Sequence, residues 1–240
     1  MQSTLTTSSS AEQLRETLSG RVMTQADGDY DEARRVFFGD LEKRPGIIAR
    51  VANAADVARV ISIARDTGHE LAVRSGGHSA AGHSTTEGGV VLDLRDMNGI
   101  EIDAGERTAW AETGLTAREF SNAAAAHRLA LGFGDMGSVG IGGITLGGGV
   151  GYLVRKHGLT IDHLLAAEIV TADGQLRHAD ADTNADLFWA IRGGSGNFGV
   201  ATRFRCQLHP VDTVLGGVLI LPATPDVIER FIAESEAAPE

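Results

Sequence analysis

The sequence holds a single cysteine, Cys206, so no disulfide can form within the chain and a multi-cysteine metal site is excluded. Cys206 lies in the alternating run Thr202–Leu208 and reads as a small residue of a strand. Positive charge is scarce. Lys and Arg number 21 against 32 Asp and Glu, for a net charge of −11. Such a chain lacks the basic face that holds DNA, RNA or an anionic membrane. A phosphate cradled by backbone N–H groups needs no such face and stays open. Long apolar runs are also missing. The uncharged window 136–153 approaches the length of a membrane span, but eight of its residues are glycine and it would insert weakly. The first ten residues are polar and rich in Ser and Thr, without the basic start and apolar centre of a secretion signal. They read as a frayed beginning, and the chain as cytoplasmic.

Glycine is in excess, at 31 of 240 residues against an average usage of roughly 7%. It is clustered rather than periodic, which fits neither collagen nor a flexible linker. Hydrophobic content is 42% and charged content 22%, enough for a packed core and against global disorder.

The elements alternate between two patterns. Residues 11–18 and 30–37 read as short helices. Residues 46–51 form a strand, Asn53 caps a helix over 54–66 with Val57, Val60, Ile61 and Ala64 on one face, and Gly68 ends it. Residues 71–74 form the next strand, so 47–74 is a βαβ unit that favours parallel pairing. Residues 90–94 are a further strand. Residues 100–103 and 108–112 alternate like exposed antiparallel strands about a turn at Ala104-Gly105. Thr116 caps a helix reaching His127. After the glycine-rich stretch 132–151, residues 165–171 and 175–179 form a hairpin about Ala172-Asp173-Gly174. Residues 184–191 are a short helix and 198–208 a long strand. Residues 216–221 read as a strand and 225–235 as a helix. Mixed βαβ and hairpin order indicates an α+β fold in two lobes rather than a regular doubly wound sheet.

Three glycine clusters carry the chemistry. Arg74-Ser75-Gly76-Gly77-His78-Ser79 follows a strand directly. Its glycines allow positive φ, so successive N–H groups can converge on an anion such as a diphosphate, with serine hydroxyls and Arg74 adding to them. The second cluster is Gly137–Gly151 and the third Gly193–Val200. Backbone so bare must approach something closely, either more backbone or a ligand. The pattern GxGxxG occurs at 132–137 and 194–199, but neither lies between a strand and a helix as a dinucleotide-binding turn requires. The Walker pattern is absent. A large cofactor bearing phosphates and a ring accounts for all three clusters together.

The order RSGGHS, GSVGIGGITLGGGVGYLVRKHGLTIDHL, AEIVTADG and LFWAIRGGSGNFGVAT resembles the berberine bridge enzyme-like flavoproteins. These belong to the p-cresol methylhydroxylase/vanillyl-alcohol oxidase group of FAD-binding proteins. The likeness runs from about Arg44 to Pro210. It implies a two-lobed, p-cresol methylhydroxylase-type FAD-binding domain and an FAD-linked oxidase or dehydrogenase. His78 stands where the family attaches the flavin 8α-carbon, and a neutral imidazole nitrogen is a suitable nucleophile. His83 reads as a surface or supporting group. The resemblance places Arg74, Ser75, Gly76, Gly77, His78, Ser79, Met136, Gly137, Ser138, Gly140, Ile141, Gly142, Gly143, Thr145, Leu146, Gly151, Asn197 and Val200 at the cofactor. Many relatives carry a second, cysteinyl tether where Met136 stands here, so that bond is excluded. Ile144 replaces a histidine common in the family. Trp189 reads as a core anchor.

The resemblance also implies residues 1–43 as a helical lead-in, 44–212 as the FAD domain, with lobes of about 44–105 and 106–212, and 213–240 as the opening of an incomplete substrate domain. The expected reaction oxidises a C–H bond next to O or N of a small organic substrate, with O₂ or another acceptor reoxidising the flavin. The alternatives are a non-catalytic flavin-binding module and an NAD(P)H-dependent flavoprotein reductase. No metal site, nucleic-acid partner or membrane partner is expected. No residue has the spacing of a catalytic base, and Asp162 and His163 read as structural. Substrate and oligomeric state are not legible.

Overall fold

A computed structural model describes residues 2–238. The first sheet has the order β1-β2-β4-β3. It is built from β1 (Arg21–Met23), β2 (Ile47–Arg50), β3 (Leu71–Arg74) and β4 (Val90–Asp93). β2 and β3 both run parallel to β4, and β1 adds antiparallel to β2. The expected βαβ unit is present, but β4 lies between its two strands. Both faces of β4 are buried, as its unbroken apolar run requires. Val90 and Leu92 face one core, and Val91 faces another.

Helices α1 (Gln2–Thr17) and α3 (Ala54–Thr67) cover one face, and the short α2 (Tyr30–Ala33) covers the other. The frayed start expected for the first ten residues is replaced by the first turns of α1, whose Ala11 and Leu14 are buried in the core. α3 is capped as its sequence predicts. Asn53 accepts from the Asp56 N–H at 3.0 Å, and Gly68 closes the helix at φ +72. Val57, Val60, Ile61 and Ala64 are all buried. The expected helix over 30–37 stops at Ala33. The chain beyond it runs against the loop after β3, with the Phe37 N–H donating to the Gly77 carbonyl at 3.1 Å.

The second sheet is antiparallel throughout, with the order β5-β6-β10-β8-β9. Its strands are β5 (Ile100–Asp103), β6 (Thr108–Glu112), β8 (Leu164–Val170), β9 (Leu176–Asp180) and β10 (Val200–Gln207). Two-residue strands β7 (Leu129–Ala130) and β11 (His209–Pro210) pair apart from it. β6 is more buried than its alternation suggests, because β10 pairs along its inner edge. Helices α4 (Ala117–Ala125), α5 (Ile141–Leu146) and α7 (Ala185–Gly194) contribute Phe120, Ile141, Phe188 and Ile191 to its core. A capping box starts α4: Thr116 N–H donates to Glu119 at 2.8 Å and Thr116 Oγ1 accepts from the Glu119 N–H at 3.3 Å. Val170 and Val200 belong to the core of the first lobe, so the two lobes share packing. The α+β, two-lobed architecture expected from the sequence is the one observed.

The remaining pieces are α6 (Val154–His157), tight 3₁₀ turns at Thr160–His163 and Ser195–Phe198, and α8 (Pro225–Ala237). The strand expected over 216–221 is not formed. No neighbouring strand reaches it, so Val218, Leu219 and Ile220 stay exposed. Trp189 is not a core anchor. It is 74% exposed, because α7 turns Phe188 and Ile191 inward and the next residue after Phe188 falls on the opposite side. Cys206 is buried, and burial pushes its thiol pKa up to about 12. Among the described residues no helix is long and apolar enough to cross a membrane.

One buried ionic rung ends three strands at once. Arg50, Asp93 and Arg74 lie side by side in the register of β2, β4 and β3. Asp93 is fully buried and accepts from Arg95 at 2.7 Å, Arg74 at 3.2 Å and Arg50 at 3.3 Å. Burial raises its pKa, but the Arg95 hydrogen bond and the charges of Arg74, Arg95 and Arg50 outweigh that and hold it below the usual carboxylate value. Burial lowers the Arg74 pKa to about 10. Removing the charge of Asp93 leaves the buried Arg74 without an anionic partner, so Asp93→Asn should cost about 3–5 kcal/mol. Denaturant unfolding should show a lower midpoint with the slope unchanged.

Candidate functional site

The loop after β3 begins at this rung, at the carboxyl end of the parallel strands, where open α/β sheets commonly bind ligands. Its residues meet the start of the glycine-rich stretch. Ser75 Oγ donates to the Thr113 carbonyl at 2.5 Å and accepts from the Gly142 N–H at 3.3 Å. Gly76 and Gly140 pass backbone to backbone. A Cβ on Gly76 would lie 2.1 Å from the Gly140 nitrogen, and one on Gly140 equally close to the Gly76 nitrogen. Gly77 takes φ +74. The N–H groups of Gly76, Gly77, His78 and Ser79 donate to no acceptor among the described residues. A row of such donors in a loop can receive an anion.

His78 stands half-buried at the lip of this loop. Its Nε2 lies 3.1 Å from Ser138 Oγ, and the Phe37 ring stacks on it with centroids 4.0 Å apart and planes 19° off parallel. Burial pushes its pKa below the ordinary histidine value, and a hydrogen bond with Ser138 partly opposes this. The arrangement favours a neutral imidazole.

Beyond Gly142 the wall opens. A Cβ on Gly143 would meet no atom within 4 Å, so no protein contact demands a glycine inside α5. Gly149 and Gly151, by contrast, are filled from within. A Cβ on Gly149 would lie 2.1 Å from Thr160 Oγ1, which itself donates to the Gly132 carbonyl, and one on Gly151 would lie 3.0 Å from the Gly134 nitrogen. Thr113, which accepts from Ser75, donates its Oγ1 to the carbonyl of Ala201, the residue after the third cluster, at 2.7 Å.

A sequence-family profile described as an FAD binding domain matches residues 45–180. The chain belongs to the FAD-binding domain family. It is 41% identical over 192 residues to (R)-6-hydroxynicotine oxidase of Paenarthrobacter nicotinovorans, covering 80% of this chain and 42% of that protein. An uncharacterized FAD-linked oxidoreductase of Bacillus subtilis is 39% identical over 194 residues, covering 80% and 43%. Among solved structures, 6-hydroxy-D-nicotine oxidase from Arthrobacter nicotinovorans superposes with a TM-score of 0.79 at 40% identity, covering 81% of this chain and 43% of that one. A berberine bridge enzyme-like protein of Physcomitrella patens gives 0.79 at 28% identity, covering 83% and 44%. The chain therefore spans less than half the length of these relatives. Its fold is the p-cresol methylhydroxylase type that the sequence implied.

In this FAD-binding domain the residues singled out from sequence divide by what their side chains touch. Ser75, Gly76, His78, Ser138, Gly140 and Gly142 meet at the junction of loop and glycine stretch; Gly77 packs on Arg74 and Val36, Ser79 Oγ accepts from the His83 N–H at 3.2 Å within its own turn, and Gly143 lies open beside Gly142. Met136 and Gly137 flank it, with Met136 exposed. The Arg74 side chain turns away from the loop face into the Asp93 rung. Ile141, Thr145, Leu146 and Val200 have buried side chains, which leaves their backbone as the part that can face a ligand. Gly151 packs on Gly132, and Asn197 donates to the Gly194 carbonyl at 2.8 Å in an exposed turn. Phe37, Thr113 and Thr160 were not anticipated. The Phe37-Phe38 pair, in a chain with 5% aromatics, was the one available signal. His83 is exposed. Asp162 accepts from the Leu159 N–H at 2.8 Å, a structural cap.

At the far end of the glycine stretch three imidazoles meet. His157 stacks on His209 at 4.0 Å, and His209 Nε2 lies 3.1 Å from His163 Nδ1. Burial, with neighbouring His157, His163, Arg107 and Lys156, lowers the His209 pKa from 6.5 to about 4. An unfolded chain takes up that proton near 6.5 and the folded one only near 4. The stabilising effect is therefore complete above about pH 6.5 and is lost as pH falls toward about 4. Replacing His209 by Asn should flatten the stability profile across that window, read from unfolding midpoints at several pH values.

Proposed function

We propose that this chain is the FAD-binding part of a flavin-dependent oxidoreductase, with FAD held covalently through His78. The observation that carries the reading is the row of N–H groups from Gly76 to Ser79 without an acceptor among the described residues, in a loop that holds a half-buried imidazole and packs on the glycine stretch at Gly140 and Gly142. The donor set fits a diphosphate, which backbone N–H groups can hold without net positive charge. The open wall fits a flat ring system, since a glycine there has no partner within the protein.

The flavin would supply the redox chemistry, taking a hydride equivalent at N5 from a substrate C–H bond next to O or N and passing the electrons to O₂ or another acceptor. The chain's own residues bind and orient. Gly76, Gly77, His78 and Ser79 would offer backbone donors to the diphosphate, and the Ser138 hydroxyl orients His78. Met136, Gly137, Gly140, Ile141, Gly142, Gly143, Thr145, Leu146 and Gly151 would line the ribityl chain and ring, chiefly through backbone. Asn197 and Val200 would do so from the third cluster. Arg74 would act from beneath, fixing the loop through Asp93. His78 would bond the flavin 8α-carbon through a ring nitrogen, the 8α C–H and the imidazole N–H each giving up a proton, and the electron pair left on the flavin passing to O₂ or another acceptor. Residues 1–43 are taken as a lead-in, 44–212 as the FAD domain and 213–240 as the opening of a substrate domain. A small-molecule substrate is expected, and no catalytic base is assigned.

Acid precipitation after incubation with FAD tests the tether. Yellow colour should stay in the pellet for the parent chain and move to the supernatant for His78→Ala; colour in the supernatant for both would remove the covalent bond from the account. Gly143→Ala tests the wall. The unbound chain should be as stable as the parent or more so by up to about 1 kcal/mol, because alanine suits a helix better. FAD affinity should fall. Unchanged affinity would show that no ligand passes over this position.

A further inference from the structure

Phe37 has no part in a hydrophobic core, yet its position is fixed. The segment carrying it is strapped to the loop after β3 by backbone. Its N–H donates to the Gly77 carbonyl at 3.1 Å, Arg74 donates to the Arg34 carbonyl at 3.4 Å, and Arg95 donates to the Ala33 carbonyl at 3.4 Å. Phe38 meets the Phe37 ring edge-on, with centroids 5.2 Å apart. The outcome is an aromatic ring lying flat on the imidazole at 4.0 Å while half of its own surface stays exposed. Burial for its own sake does not explain a ring held by so many backbone anchors at the surface.

We propose that Phe37 is a positioning residue for His78: stacked on one face, with Ser138 at the Nε2 edge, it holds the imidazole in one orientation and keeps water off that face. This deepens the reading above and rests on His78 being the tether. Two constraints act on the ring. The stack fixes its plane, and the 3.1 Å contact with Ser138 Oγ fixes its rotation about the side-chain axis. Ser138 also meets the ring through its backbone. When Nε2–H donates to Ser138 Oγ, the lone pair sits on Nδ1, as a nucleophilic nitrogen requires. Removing water from one face also disfavours the protonated ring, in keeping with the direction of the His78 shift. No charged group contributes to that shift; burial is its leading cause, and the Phe37 ring is one of the groups that bury the imidazole.

The test compares the parent chain with Phe37→Leu, Phe37→Trp and Ser138→Ala. Nitrogen-15 NMR of the flavin-free chain reads the pKa and tautomer of His78. In parallel, incubation with FAD at pH 6 and pH 8 gives the rate of acid-stable attachment and the total FAD bound. Phe37→Leu should raise the pKa toward about 6.5, where only about a quarter of the rings are neutral at pH 6. Attachment at pH 6 should then slow by up to about fourfold, with less change at pH 8, and Phe37→Trp should restore both. Ser138→Ala should leave a mixture of tautomers. Slowing at both pH values with the pKa raised would place the larger share of the effect in orientation and still support the assignment. An unchanged pKa and an unchanged attachment rate in Phe37→Leu would overturn it. A parent chain that binds FAD without any acid-stable bond would overturn the tether instead, and the NMR values would still judge the role of Phe37.

Discussion

The buried rung Arg50–Asp93–Arg74 is the constraint on which the site depends. It ties the ends of three parallel strands at one register, and the loop that offers its N–H groups starts at the very next residue. A loop rich in glycine has little of its own to hold its shape. The order comes from below, from an ion cluster centred on the buried Arg74–Asp93 pair, and from the side, through Ser75 to Thr113 and Gly142. Arg74 and Arg95 also reach the carbonyls of the segment before Phe37. One carboxylate thus indirectly organises both the glycine loop after β3 and the ring that covers His78.

The glycines do two kinds of work, and the distinction has functional meaning. Gly76, Gly140, Gly149 and Gly151 are demanded by the protein itself, because a side chain would strike neighbouring atoms. They let the loop and the glycine-rich stretch close on each other. Gly143 is demanded by nothing in the chain. A helix would normally replace such a residue, since glycine weakens it by about 1 kcal/mol relative to alanine. Space kept empty at that cost points to a ligand surface. The dense run seen in the sequence is therefore mostly a packing device with one open face.

Much of this was legible in the sequence. Capping residues and apolar periodicity located α3 and α4, and the switch from βαβ to hairpins indicated two lobes. The glycines of the loop after β3 and of the stretch 137–151 indicated a close approach of backbone, and Gly76 and Gly140 make one. What stayed hidden depended on contacts distant in sequence. Nothing local marks Asp93 as the centre of a four-residue ion cluster, or Thr113 as the clasp beneath Ser75. Trp189 misled because an aromatic residue in an apolar helix reads as core, although its neighbours Phe188 and Ile191 fill that side. Residues 216–221 misled because strand propensity forms no strand without a partner edge. Val200 and Leu146 lie at the expected place in the chain, but their side chains face the cores.

The central claim is that the loop after β3 and the open face of α5 together hold the flavin nucleotide. Hydrogen exchange of the backbone amides, measured with and without FAD, tests it most directly. Exchange at Gly76, Gly77, His78, Ser79 and Gly143 should slow on binding, while amides already bonded within the second sheet should change little. Equal exchange at those five positions in the FAD-bound and FAD-free chain would contradict the account.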